Sequence, residues 1–154
     1  MPVISLFLYG TLKRGQPNHE ALCRGYLRAE EAAVRGRLFA LPAGYPALVV
    51  PGEDVLATGT ADPLADAALQ EEAKRRVLPR PEGPLVRGEL YLFGDPASRL
   101  PALDAFEGFR PGGRSLYLRV LVPALTASGM VPAWAYAMPE EPEGVPLPGG
   151  TWPP

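Results

Sequence analysis

The sequence holds a single cysteine and a single histidine, no long apolar run and little net charge, and each scarcity removes a class of function. Cys23 has no partner for an intrachain disulfide, which points to a reduced, cytoplasmic setting. His19 and Cys23 lie four apart on an expected short helix and can face the same way, but two ligands do not make a structural zinc site and nothing nearby completes one. No metal is therefore expected. A Ser-His-Asp triad would have to use His19, and the nucleophile elbow G-x-S-x-G is missing. A Cys-His nucleophilic pair stays open, set against the usual role of cysteine as a small buried apolar residue. No stretch of about 18 apolar residues is present to span a membrane, and the first residues lack the pattern of a signal peptide. The formal net charge is -2 and the arginines are scattered, so no basic field attracts nucleic acid.

What is present suits one domain. With 154 residues, 47% hydrophobic and 21% charged, the chain can bury a core and stay in solution. Twenty prolines and seventeen glycines imply many short elements and tight turns. Residues 4–9 form a compact apolar run ended by Gly10, which reads as a buried first strand. A loop to Gln16 leads into a short helix that starts near Asn18 and ends near Arg24. Strands are expected at 34–41 and 47–50, with turns around Pro42, Gly44 and Pro46 and at Pro51-Gly52. Residues 64–77 have helical spacing, with Leu64, Ala68, Leu69, Ala73 and Val77 on one stripe and Glu71 and Glu72 four before Arg75 and Arg76. Strands at 85–93, 116–122 and 131–138 and a short helix at 98–106 complete the pattern. Strands dominate and do not alternate regularly with helices, which argues α+β rather than a doubly wound sheet. Residues 139–154, rich in proline and acid, read as an extended tail, with disorder and surface packing both open.

Two segments can carry chemistry. A glycine directly after a buried strand lets backbone N–H groups approach a ligand, so Tyr9, Gly10, Thr11 and Leu12 can present donors to a carboxylate or an oxyanion. Lys13 and Arg14 add positive charge to that loop. The loop matches neither a Walker A sequence nor G-x-G-x-x-G, so nucleotide binding gains no support. The alternative is an ordinary strand-to-helix turn with solvated basic residues. Glu107 is expected at the C-terminal end of the helix at 98–106, where the helix dipole disfavours a negative charge. If it also turns inward, both effects raise its pKa toward neutrality, as a general base and acid requires. The alternative is a solvated glutamate before a C-cap glycine. Glu89, on a strand face with Arg87, Tyr91 and Phe93, either pairs with an arginine or faces the same cavity. Asp104 is expected to cap or pair locally.

Together these segments resemble the γ-glutamylcyclotransferase-like family, which includes γ-glutamylamine cyclotransferases and AIG2-like proteins. The matching residues are Tyr9-Gly10-Thr11-Leu12-Lys13-Arg14-Gly15-Gln16-Pro17-Asn18-His19, then Gly44-Tyr45-Pro46-Ala47 and Val86-Arg87-Gly88-Glu89-Leu90-Tyr91. Leu103-Asp104-Ala105-Phe106-Glu107 and Tyr117-Leu118-Arg119 follow in order. The resemblance implies a small mixed β-barrel with flanking short helices over residues 1–138, followed by the proline-rich tail at 139–154. It implies that Tyr9, Gly10, Thr11 and Leu12 hold a γ-glutamyl group, that Glu107 is the catalytic acid/base, and that Tyr45 and Tyr117 are candidates for the pocket wall. Tyr117 also suits the core, and His19 suits a role in orienting the loop. The implied reaction forms 5-oxoproline from a small γ-glutamyl amine or amino acid, with no cofactor and no metal. The alternatives are a non-catalytic module that binds a small carboxylate, or a lyase for another γ-glutamyl-tagged intermediate. The stretches 53–84 and 108–115 depart from the family pattern and can reshape the pocket rim. The oligomeric state is not indicated.

Overall fold

A computed structural model of the chain describes residues 2–154. In chain order the elements are β1 (Ile4–Leu8), α1 (His19–Cys23), β2 (Arg28–Arg35), β3 (Arg37–Ala40), β4 (Pro46–Val49), β5 (Ala57–Thr58), α2 (Pro63–Ala73), β6 (Leu85–Phe93), α3 (Pro96–Glu107), β7 (Leu118–Thr126), β8 (Gly129–Ala137) and β9 (Val145–Pro146). The main sheet runs β2-β6-β1-β8-β7, and a β2–β7 pairing closes it into a five-stranded barrel. β1 and β8 are parallel and the other pairs antiparallel, so the barrel is mixed and the fold is α+β. β5 adds to the edge at β7, while β4, β3 and β9 form a second, smaller sheet.

The strands sort their side chains with period two. Ile4, Leu6 and Leu8 of β1, Tyr91 and Phe93 of β6, and Trp134 and Tyr136 of β8 pack with Leu100 and Leu103 of α3 on the outside of the barrel. The alternate positions, among them Phe7, Leu90, Val120, Val122, Ala133, Ala135 and Ala137, pack together with Val34 of β2 and fill the lumen. Three alanines on one strand suit so narrow a barrel, which leaves room only for side chains.

β2 starts six residues before the strand expected from sequence, because Arg28, Ala29, Glu30 and Glu31 have weak β propensity. Pairing with all eight residues from Leu85 to Leu92 makes them a strand. The expected helical stripe at 64–77 packs only in part, through the buried Ala73 and the half-buried Leu69. Helix α2 ends at Ala73, Leu64 and Ala68 are exposed, and Val77 lies outside the helix in solvent. The buried face is Asp66, Ala67, Gln70 and Ala73. Polar partners explain the difference: Gln70 Oε1 accepts from Ser5 N at 2.8 Å, and Asp66 Oδ2 meets Arg119 Nη1 at 3.0 Å. Asp62 caps the helix, accepting from Leu64 N and Ala65 N.

The final segment packs along the surface. β9 pairs with β3, Leu147 N donates to Leu38 O at 2.8 Å, and Gly150 O accepts from Arg87 N at 2.7 Å. No helix among the described residues is long and apolar enough to cross a membrane.

Gly88 allows β6 to lie close against the end of β1. A Cβ there would fall far inside contact with the backbone carbonyl of Leu8 and 3.0 Å from Phe7 Cζ. Backbone cannot rotate away as a side chain can. Gly88→Ala is therefore expected to lower stability by about 1–3 kcal/mol, read as a shift of the urea midpoint with an unchanged slope.

Candidate functional site

A cavity of about 300 Å³ opens at the barrel end where β1 runs out. Its wall includes Tyr9, Gly10, Thr11 and Leu12 from the loop, Tyr45 and Pro46 from the β3–β4 turn, and Glu107 and Tyr117 from either side of the α3–β7 connection. All seven residues singled out from sequence for the site thus lie around one space. Phe7, Asn18, Leu116 and Tyr136, which sequence reasoning did not single out, also line it.

The loop is held by its carbonyls. Gly10 O accepts from Lys13 N at 3.1 Å and Thr11 O from Asn18 N at 3.2 Å. Leu12 O is gripped by His19 Nδ1 at 2.9 Å and by the Cys23 thiol at 3.6 Å. Among the described residues, the N–H groups of Gly10, Thr11 and Leu12 donate to no protein acceptor. They are spare donors in a cavity wall. Gly10 has no side chain for a reason: a Cβ there would stand 2.9 Å from Pro46 Cγ.

His19 and Cys23 do face the same way, but toward a carbonyl. Burial pushes the Cys23 thiol up to about 11, so at neutral pH it stays protonated and is no nucleophile. The basic pair of the loop is committed elsewhere as well. Lys13 Nζ donates to Trp152 O, and its burial lowers its pKa. Arg14 N donates to Glu89 Oε1 at 2.9 Å, its guanidinium lies 3.8 Å from Oε2, and Tyr91 OH donates to the same carboxylate at 2.9 Å. Glu89 therefore pairs with an arginine and steadies the loop from outside the cavity. No cluster of three or more potential metal ligands occurs among the described residues.

Glu107 is the last residue of α3, and Gly108 caps the helix with φ 72°, a left-handed geometry that favours glycine. Among the described residues the carboxylate accepts no hydrogen bond and meets no cation. Burial alone raises its pKa from the ordinary 4.5 to about 7. Around it stand tyrosines whose hydroxyls are already engaged. Tyr9 OH donates to Tyr136 O at 2.6 Å and accepts from Leu48 N, and Tyr117 OH donates to Pro46 O at 2.8 Å. Tyr117 is thus both core and cavity wall. Burial first, then neighbouring charge including Glu107, pushes the Tyr9 and Tyr117 phenols above their ordinary value, so they stay neutral.

One turn before Glu107, Asp104 pairs at long range rather than locally. Its carboxylate takes Arg119 Nε at 2.8 Å, Nη2 at 3.1 Å and Tyr136 OH at 2.7 Å. Arg119, fully buried in β7, also reaches Asp66 of α2 at 3.0 Å and lies 5.0 Å from the Trp134 ring. This ion triad ties α2 and α3 to the barrel wall and so sets the position of Glu107. The sequence signal for it was an arginine inside the apolar strand Leu118–Thr126.

A closed five-stranded mixed barrel with short flanking helices is the γ-glutamylcyclotransferase-like class of fold. The chain belongs to the γ-glutamyl cyclotransferase, AIG2-like family, whose model matches residues 6–73 and 73–154. Among solved structures it is similar to YkqA from Bacillus subtilis, with a TM-score of 0.60 and 24% identity over 97% of this chain and 39% of that one. This chain therefore spans about two fifths of the Bacillus protein. It is also similar to an AIG2-like protein from Mus musculus, with a TM-score of 0.59 and 21% identity over 93% of this chain and 82% of that one. An Arabidopsis thaliana protein gives a TM-score of 0.54 and 18% identity over 93% of this chain and 73% of that one. These likenesses are of fold. No curated protein matches the chain.

Proposed function

We propose that this chain is an enzyme that cyclises the γ-glutamyl group of a γ-glutamyl amine or amino acid to 5-oxoproline and releases the amine. The observation that carries this reading is Glu107, whose carboxylate shares a cavity with unclaimed backbone donors and binds a proton near neutral pH without a partner. In the ionised form Glu107 takes a proton from the substrate α-ammonium. The freed amine attacks the γ-carbonyl of the same molecule, so the reacting groups need no second encounter. N–H groups of Gly10, Thr11 and Leu12 stabilise the developing oxyanion. Collapse breaks the γ-amide bond, and Glu107 returns its proton to the departing nitrogen. The ring nitrogen sheds a second proton on becoming an amide, and Glu107 passes it to the released amine, which departs as an ammonium. The atoms then balance without water, metal or cofactor.

A module that merely binds a small carboxylate is disfavoured by the same residue, since a second negative charge beside the ligand would repel it. The test is to incubate the purified chain with γ-glutamyl-ε-lysine, γ-glutamyl amino acids and simple γ-glutamyl amides, and to quantify 5-oxoproline by mass spectrometry. Release of 5-oxoproline with an equal amount of amine is the expected result. Failure with every compound would overturn the enzymatic reading.

A further inference from the structure

The mouth of the cavity is built differently from its floor. Phe106 and Leu116, two of the few large apolar side chains left in solvent, are 43% and 50% exposed and both line the opening beside Glu107. Backbone geometry puts them there. Phe106 is the penultimate residue of α3, and Leu116 N donates to Gly108 O at 3.2 Å, which brings the chain back to the end of that helix. The loop between them is closed on itself, with Arg110 N donating to Ser115 Oγ at 2.8 Å and Gly113 N to Arg110 O at 2.8 Å. Its two arginines, Arg110 and Arg114, do not line the cavity. Lys13 Nζ donates to Trp152 O, and the exposed Arg14 guanidinium lies 3.8 Å from Glu89, outside the cavity lining. Among the described residues, the wall therefore carries one carboxylate and no cation.

Resting on the cyclisation reading, we propose that the leaving amine bears only an uncharged apolar group, so that the substrate class is the γ-glutamyl amides of alkyl or arylalkyl primary amines. The γ-glutamyl part brings its own carboxylate together with the α-ammonium that balances it. An amino-acid leaving group would bring a second carboxylate toward Glu107 with no cation to meet it, and desolvating such a charge unpaired is costly. An alkyl or aryl group instead covers Phe106 and Leu116 and removes their apolar surface from water. The new bond joins the α-nitrogen to the γ-carbon, the old γ-amide bond breaks, and the amine leaves as an ammonium with the two protons that the α-ammonium gives up on becoming the ring amide.

The experiment compares kcat/KM for γ-glutamyl-phenethylamide, γ-glutamylalanine and γ-glutamyl-ε-lysine. The phenethylamide is expected to exceed the other two by at least about tenfold, the discrimination that one apolar contact supplies. Phe106→Ser and Leu116→Ser, both at exposed positions, are expected to remove about tenfold of that preference, mainly through KM. Leu116→Arg is expected to shift preference toward γ-glutamylalanine by supplying the missing cation. Equal or faster turnover of γ-glutamylalanine or the lysine adduct, or serine variants with unchanged preference, would overturn the apolar class and leave cyclisation standing. Absence of 5-oxoproline from all three would overturn both.

Discussion

Glu107→Gln is expected to lower kcat by about 10²–10⁴-fold, the usual contribution of a positioned general acid/base, while making the protein more stable at alkaline pH. The two effects share one cause. The carboxylate has a folded pKa of about 7 against an ordinary 4.5, because burial disfavours its charge. The unfolded chain thus releases this proton first as pH rises. Stability is unaffected by Glu107 below about pH 4, falls between about 4.5 and 7, and stays lowered above that. The gap corresponds to at most roughly 3 kcal/mol. A glutamine has the same shape and no proton to lose, so the variant escapes the loss. Urea unfolding at pH 4 and pH 8 checks this: the two proteins should agree at pH 4, and the variant should be more stable at pH 8. The wild-type pH–rate profile should rise through about pH 7 as Glu107 ionises to the form that accepts a proton. A glutamine variant with full activity would remove Glu107 from the reaction.

Arg119→Met is expected to destabilise the fold by about 3–5 kcal/mol, the usual effect of removing one partner from a buried ion pair. Arg119 is completely buried and serves two carboxylates at once, Asp104 through a bidentate contact and Asp66 through one nitrogen. Methionine fills much of the volume but leaves both acids without their cation. Single domains are stable by about 5–15 kcal/mol, so a large share would be lost. Arg119→Lys should fall between the two, since an ammonium cannot reproduce the planar fork. Asp104 lies one turn from Glu107 on α3, so the lysine variant should also lose turnover through misplacement of that carboxylate. Urea midpoints combined with kcat for the folded lysine variant separate these effects. A midpoint unchanged in both variants would show that the triad contributes nothing.

Much of this was legible along the chain. An apolar run broken by Gly10 marks β1 and its loop, and a glutamate beside Gly108 at a helix end marks a carboxylate in an unfavourable field. The strand Leu85–Phe93 is bounded as its composition suggests. These features are local, set by dihedral preferences and by neighbours a few residues away.

Other features depend on partners far along the chain. Glu30 and Glu31 become strand only because β6 lies beside them. The packed face of α2 is chosen by Ser5 and Arg119, which no helical spacing within 64–77 can reveal. Lys13 and Arg14 add charge to the loop, yet Lys13 Nζ turns to Trp152 O and the Arg14 guanidinium lies beside Glu89, outside the cavity lining. The unfavourable position of Glu107 was readable from its place on a helix. Its pKa near 7 arises only when the barrel end, the β3–β4 turn and the loop of Gly10 together withdraw it from most of the water, because desolvation is a property of the assembled cavity rather than of any one segment.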